Sequence, residues 1–180
     1  MPVLLRRYGD ALAAAVHDLL LDIHDDCAGA VAECGFDPRA RFSWLLDSWS
    51  SQPGWACVIG YDGDQPVGFA HGAPLTATSS WWNHVKTPLT LEFTHEPGGR
   101  TFAMADIMVR PPWRKTGTAA RIHQHLLAGR PEERATLLVD RARPKVQALY
   151  ETWGYAPAGI TGPFDRAESM TALVRVLRPA

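Results

Sequence analysis

An α/β fold is what this sequence predicts, and three stretches of it carry the expectation. The apolar segment Thr101 to Val109 runs through Pro111-Pro112-Trp113 into Arg114-Lys115-Thr116-Gly117-Thr118-Ala119 and then an amphipathic stretch, the succession of strand, turn and helix. Trp55 to Tyr61 and Gln65 to Ala73 are two apolar runs joined through Asp62-Gly63-Asp64, a strong hairpin signal. Apolar residues also recur at helical spacing after Asp10, after Asp37 and after Pro144.

In chain order, Val3 to Tyr8 reads as a first strand. Asp10 is a fitting N-cap for a helix with Leu12, Val16, Leu19, Leu20 and Ile23 on one face. Asp37-Pro38 supplies a cap and a first-position proline for a second helix, with Phe42, Leu45, Leu46 and Trp49 at helical spacing. After the hairpin, residues 74–99 are the least regular part, because Pro74, Trp81-Trp82, Pro88 and Pro97-Gly98-Gly99 interrupt every periodicity. Long ordered excursions of this kind are often functional. Beyond Ala119 a helix continues through Ile122, Leu126 and Leu127 to Gly129, and Ala135 to Val139 is a short buried strand. Pro144 opens another helix, with Val146, Leu149, Tyr150 and Trp153 on one face and Gly154 at its end. Two final strands use Tyr155 to Ile160 and Met170 to Leu177, and no internal repeat or low-complexity segment interrupts the order.

Composition narrows the function. At 180 residues the chain suits a single domain, 1–180, with one sizeable core, and 46% apolar with 21% charged residues is ordinary for a soluble globular protein. A formal net charge of -1 and the lack of a dense basic run argue against nucleic acid or an anionic membrane surface as a partner. Met-Pro-Val-Leu-Leu-Arg-Arg at the start has too short an apolar segment for a signal peptide, and no stretch approaches the roughly 18 apolar residues of a membrane helix. Cys27, Cys34 and Cys57 are odd in number and sit among apolar residues, so buried free thiols in a reducing cytoplasm are the simplest account.

A strand that feeds a short glycine-containing turn and then a helix aims unpaired backbone N–H groups and the positive end of the helix dipole at one point, which attracts phosphate. The spacing Arg114-x-x-Gly117-x-Ala119 resembles the pyrophosphate loop, Arg/Gln-x-x-Gly-x-Gly/Ala, of the GNAT acetyltransferase superfamily. Neither Gly-x-x-x-x-Gly-Lys-Ser/Thr nor Gly-x-Gly-x-x-Gly occurs in the chain. Leu149-Tyr150-Glu151-Thr152-Trp153-Gly154-Tyr155 is similar to that superfamily's Leu-Tyr-x-x-x-Gly-Phe/Tyr signature. The likeness is specific from about Thr101 to Tyr155; before residue 55 only the element order agrees. It implies a GNAT fold, a central mixed and mostly antiparallel twisted sheet flanked by helices. It also implies acetyl-CoA as co-substrate without a metal, and an amine acceptor, either a small molecule or a peptide. A homodimer accords with family habit, although no residue here argues for one.

At the matched positions Gly117 permits close backbone approach, Ala119 keeps the first helical turn narrow, and Arg114 and Lys115 bring positive charge near the anion, with Thr116 and Thr118 completing the loop. The resemblance further implies that the backbone of Met108 and Val109 pairs with the pantetheine arm like an added strand. It implies too that Tyr150 is the acid beside the departing thiolate; a core aromatic on the face of Val146 and Trp153 is the lesser alternative. Asp106 is a carboxylate among Ala103, Met104, Ala105, Ile107 and Met108, an expensive placement without a purpose or a partner. Family likeness makes it a group that binds or deprotonates the amine, and a structural carboxylate bonded to local backbone fits as well. Arg143 stands where the family often has an Asn that caps the helix and approaches the CoA arm. As a poor cap it costs on the order of 1 kcal/mol relative to Asn, and it could offer a CoA phosphate a new contact.

Trp81, Trp82, Glu92, His95 and Glu96 lie in or beside the irregular excursion, where aromatic faces with carboxylates suit a cage for an ammonium; loop aromatics plugging the core are the plainer account. His24, Cys27 and Cys34 match no standard zinc spacing, and His123 and His125 cannot share a helix face, so no metal is expected. The sequence therefore leads to a cytoplasmic, acetyl-CoA-dependent N-acetyltransferase working by direct transfer. An O-acetyl or other acyl transferase, a non-catalytic acyl-CoA-binding module, and an interaction protein that keeps the fold with its loop idle are the rivals.

Overall fold

The computed structural model describes residues 3–28, 37–161 and 170–177. Seven strands form one mixed sheet in the order β1-β2-β3-β4-β5-β7-β6: β1 is Leu4–Gly9, β2 Ala56–Asp62, β3 Gln65–Pro74, β4 Thr101–Val109, β5 Arg134–Asp140, β6 Ala156–Thr161 and β7 Met170–Val176. Among the described residues five helices accompany them: α1 Ala13–Ala28, α2 Pro38–Ser50, the single turn α3 Leu91–Thr94, α4 Thr118–Leu127 and α5 Pro144–Thr152. The chain divides into two compact units, Met1–Ala73 with Met104–Ala128, and Pro74–Ala103 with Gly129–Ala180, so β4 contributes residues to both.

In the first unit, β1 pairs antiparallel with β2, and β2 with β3. Asp62 is the last residue of its strand, opposite Gln65, and the reversal is made by Gly63-Asp64 with Gly63 at φ +60°. That conformation is the one a two-residue hairpin turn needs and glycine adopts at least strain. One core joins Val16, Leu20, Leu21 and Ile23 of α1 and Phe42 and Leu46 of α2 to Trp55, Cys57, Ile59 and Phe69. Asp37 caps α2 as expected, its carboxylate accepting the Arg39 N–H at 3.0 Å, with Pro38 at the first helical position.

The start of the first helix differs from expectation. Gly9, not Asp10, is the cap of a 3-10 turn over Asp10–Leu12, and the Asp10 carboxylate accepts N–H groups from Ala11 and Gly54. A 3-10 turn has about three residues per turn, so it shifts Leu12 off the face that α1 then follows. Leu12 is exposed as a result, and Leu21 is buried.

The second unit contains the lone parallel pairing described, Thr101–Ala103 of β4 against Arg134–Thr136 of β5. From there β5 pairs antiparallel with β7, and β7 with β6. The irregular excursion resolves into a 3-10 turn at Trp81–His84 and the one-turn α3, whose cap is Thr90 accepting the Phe93 N–H at 3.1 Å.

Candidate active site

Strand β4 ends at Val109, where the Arg110 N–H is given to the Val67 carbonyl of β3 at 2.8 Å. Pro111–Trp113 then make a 3-10 turn, and Thr116 Oγ1 ties the following residues down by bonding the Trp113 carbonyl at 2.6 Å and Thr118 Oγ1 at 2.8 Å. Lys115 at φ +62° and Gly117 at φ +82° both take left-handed backbone, which turns successive N–H groups toward a common side. Gly117 caps α4 without any side chain, and the Arg121 N–H bonds its carbonyl at 3.1 Å. The N–H groups of Thr118, Ala119 and Ala120 precede that bond and by helix geometry have no intrahelical acceptor. A Cβ added at Gly117 would meet nothing within 4 Å. The loop is thus an open cradle of backbone donors, and it fits a pyrophosphate.

The loop's cations are placed less uniformly than the sequence suggested. Both Lys115 and Arg114 are exposed, but Arg114 turns back: its Nε donates to the Val109 carbonyl at 2.9 Å and its Nη2 to the Cys27 carbonyl at 3.3 Å. Arg110 does likewise, with Nε 2.9 Å from Asp26 Oδ2 and Nη1 donating to the Pro66 carbonyl at 2.7 Å. Both guanidiniums therefore stand at the C-terminal end of α1, where the helix dipole favours a cation.

Asp106 lies in β4 three residues before the strand ends. Its Oδ2 is 3.2 Å from Nε2 of His71 in β3, close enough for ion pairing but off the alignment of a good hydrogen bond. His71 is fully buried, and its Nδ1 accepts the indole N–H of Trp55 at 3.2 Å. Phe69 flanks the imidazole at a centroid distance of 5.9 Å. Asp106 keeps 30% of its side chain exposed, so one end of this chain of polar groups reaches solvent. Sequence reasoning singled out Asp106 and passed over His71. The available signal was a second isolated polar residue in an apolar strand, because two such residues in neighbouring strands can satisfy each other.

Pairing of β4 with β5 covers Thr101–Ala103, and the backbone of Met108 and Val109 lies beyond it. On its β3 side that backbone is approached closely by Gly68, where a Cβ would come within 2.6 Å of the Met108 carbonyl oxygen and 3.0 Å of Val109 Cα.

In the second unit Tyr150 is a buried residue of α5 in an aromatic trio, with ring centroids 5.4 Å from Trp153 and 5.8 Å from Tyr155, both edge-on. Burial pushes the Tyr155 hydroxyl far above the ordinary tyrosine range. Arg143 occupies the cap of α5 and makes no side-chain capping bond; its guanidinium is 74% exposed, with Nε 4.0 Å from Asp140 Oδ2.

The suggested cage residues are not brought to one place. Trp82 is buried, its indole N–H donated to Glu96 Oε1 at 2.8 Å, and the same oxygen accepts from Thr101 Oγ1 at 2.6 Å and Arg134 Nη2 at 2.9 Å. The guanidinium of Arg134 lies over the rings of Trp82 and Phe93, 5.0 and 4.5 Å from their centroids. An aromatic and carboxylate box for a cation exists, and the protein's own Arg134 fills it. Glu92 and His95 are exposed and line an open pocket of about 510 Å³ with Leu91, Pro97, Arg100 and Glu133, while Trp81 is half-buried at the start of its 3-10 turn.

Among the described residues no group of three His, Cys, Asp or Glu could hold a metal ion, and no helix is long and apolar enough to cross a membrane. Cys57 is a buried free thiol and Cys27 a half-buried one, each pushed above the ordinary thiol range by burial; Cys34 lies outside the described residues.

Comparison with known proteins bears on this geometry. No curated protein matches the chain. A GNAT-family protein from Desulfovibrio desulfuricans is 14% identical over 97% of this chain and 99% of its own, with a TM-score of 0.68. The protein yncA from Salmonella typhimurium, solved with its cofactor acetyl-CoA, is 12% identical over 100% of this chain and 96% of its own, with a TM-score of 0.61. A chimera of the spermidine N-acetyltransferase SpeG from Vibrio cholerae and hSSAT is 13% identical over 98% of this chain and 96% of its own, with a TM-score of 0.59. These likenesses show the fold. The acetyltransferase (GNAT) family profile matches residues 16–155, most of the chain and all of the loop, so the chain belongs to the GNAT acetyltransferase family and is an acyltransferase.

Proposed function

We propose that this enzyme moves the acetyl group of acetyl-CoA directly to a primary amine. The observation that carries the choice of an amine is Asp106, a part-exposed carboxylate backed by the buried His71 and placed in the strand that leads to the bare phosphate cradle. An alkyl amine has an ordinary pKa near roughly 10.4 and arrives as an ammonium at neutral pH, so some group must hold its charge and take its proton. A carboxylate does both, whereas an alcohol brings no positive charge for it to meet.

Backbone N–H groups at Gly117 to Ala120 would bind the pyrophosphate, and the edge of Met108 and Val109 would order the pantetheine arm. When bound, acetyl-CoA supplies an acetyl thioester whose carbonyl is open to the amine and whose thiolate departs. Asp106 takes one proton from the ammonium, and the free amine forms the C–N bond as the C–S bond breaks. Tyr150 gives its proton to the departing thiolate, and the second nitrogen proton, shed as the amide forms, returns through water to the tyrosine. No group of the protein has to carry the acetyl.

The test is release of free CoA thiol from acetyl-CoA across a panel of polyamines, amino acids, aminoglycoside-like amines and peptide N-termini, with matched alcohols. Spermidine belongs in the panel because a protein of the same fold bears its name. Turnover with one or more amines and none with the alcohols is expected. Turnover confined to alcohols overturns the reading, and acetyl-CoA binding without turnover on any acceptor favours a binding module.

A further inference from the structure

The order of donors from Trp55 through His71 to Asp106 has a consequence for the proton. An indole N–H can only donate, so the Trp55 bond at 3.2 Å requires a lone pair on His71 Nδ1. A neutral imidazole with its lone pair there carries its hydrogen on Nε2, the atom 3.2 Å from Asp106 Oδ2. A second hydrogen on Nδ1 would set two donors face to face at a site with no exposure to water. We propose that Trp55 locks His71 as a neutral Nε2–H donor, and that His71 thereby positions Asp106, holding Oδ2 so that Oδ1 is left to take the proton of the acceptor ammonium.

His71 is then a positioning residue and not the base. The ammonium N–H bond breaks with its electron pair left on nitrogen, an O–H bond forms on Asp106 Oδ1, and the proton leaves to water along the part-exposed side chain. The imidazole hydrogen never moves. Around His71, β2 presents the Cys57 thiol, opposite it in register and kept protonated by burial. From α1, His24 stacks on Phe42 at 4.3 Å and sits beside Asp25; Phe42 in turn lies 6.2 Å from Phe69, which flanks His71 at 5.9 Å. Among the described residues, Asp106 is the charged group that stands within ion-pair distance of the imidazole. The Nε2–Oδ2 separation is loosely aligned, as catalytic hydrogen bonds often are before substrate tightens them.

The inference rests on the amine reading above for its catalytic meaning, but the lock itself can be measured without any acceptor. Multiple-bond ¹H–¹⁵N spectra of the full chain labelled in histidine, with His71 assigned by loss of its signals in His71→Gln, should show the Nε2–H form at neutral pH. An Nδ1–H or doubly protonated ring overturns the lock. The ¹³Cγ resonance of Asp106 should move in His71→Leu and stay near its original place in His71→Gln, whose amide can donate from the Nε2 position. Equal displacement in both variants, or in neither, overturns the positioning role. With an active amine, His71→Leu should lower kcat about 10-fold or more and His71→Gln much less, acetyl-CoA affinity being the same in both. A correct tautomer with full activity in His71→Leu would remove His71 from catalysis and leave amine acetylation standing.

Discussion

Replacing Gly117 by Val separates binding at the phosphate cradle from the stability of the fold. The residue sits at φ +82°, and its missing Cβ faces open space, so the substitution loses no packing. The apo penalty is the left-handed backbone alone, about 1–2 kcal/mol for an L-residue and more for a branched one. For a protein of this size each kcal/mol lowers Tm by roughly 2–4 °C, so apo Gly117→Val should melt several degrees lower and remain folded. Acetyl-CoA at a hundred times its Kd stabilises the wild type by about 2.7 kcal/mol, a rise of roughly 5–11 °C by the same conversion. That rise should vanish in Gly117→Val, because the isopropyl group stands where the phosphates approach. Gly117→Ala serves as the control for strain, sharing the backbone penalty with less obstruction. Scanning fluorimetry with and without acetyl-CoA, followed by calorimetric titration, reads both quantities. Equal Kd for wild type and Gly117→Val would take the loop out of the binding site.

Three further outcomes follow from the placement of single side chains. Tyr150→Phe keeps the edge-on packing against Trp153 and Tyr155, so a fall in kcat of about 10²-fold at unchanged acetyl-CoA affinity marks it as the acid, and unchanged turnover assigns it to the core. Asp106→Asn removes charge at nearly constant size, and should depress kcat/KM for the amine with partial recovery at high pH, where free amine is plentiful; parallel pH profiles of equal height would rule the role out. Arg134→Met leaves Glu96 charged and buried beneath Trp82, which should lower stability by about 3–5 kcal/mol in urea, with much of it regained by adding Glu96→Gln; a loss unaffected by the second change would place the effect in packing alone.

What the sequence disclosed was the local part of the structure. Asp37-Pro38, Gly63-Asp64 and the Gly117 turn were readable because each rule concerns a few adjacent residues whose backbone angles limit the side chain. The helix faces were largely readable from period; they failed at Leu12, where a 3-10 turn changed the period itself, and in α5, where Val146 and Leu149 are exposed and only Tyr150 is buried. Tertiary pairing was not readable. Trp82 and Glu96 looked like an open cage because nothing near them in sequence names the cation that fills it, and Arg134 lies 38 positions beyond Glu96. His71 was hidden for the same reason: its meaning depends on which strand lies beside β3 and on where Asp106 falls along it.

The loop arginines show how a short motif and the fold around it can point to different uses of the same side chain. Arg-x-x-Gly-x-Ala reads as charge plus room, with Arg114 drawing in the anion. In the fold the guanidinium of Arg114 satisfies the Val109 carbonyl at the end of β4 and the Cys27 carbonyl at the end of α1, and Arg110 repeats the arrangement with Asp26. These cations fasten the start of the turn from behind. What remains to face a phosphate is the exposed Lys115 together with backbone N–H groups whose directions follow the left-handed residues Lys115 and Gly117. Recognition built this way depends on geometry more than on long-range attraction, so added salt weakens it less than it would weaken a cluster of exposed lysines and arginines. On the proposed reading, the position that decides binding is the residue with no side chain: charge can be supplied from several places, but close approach of backbone to pyrophosphate would be made at Gly117.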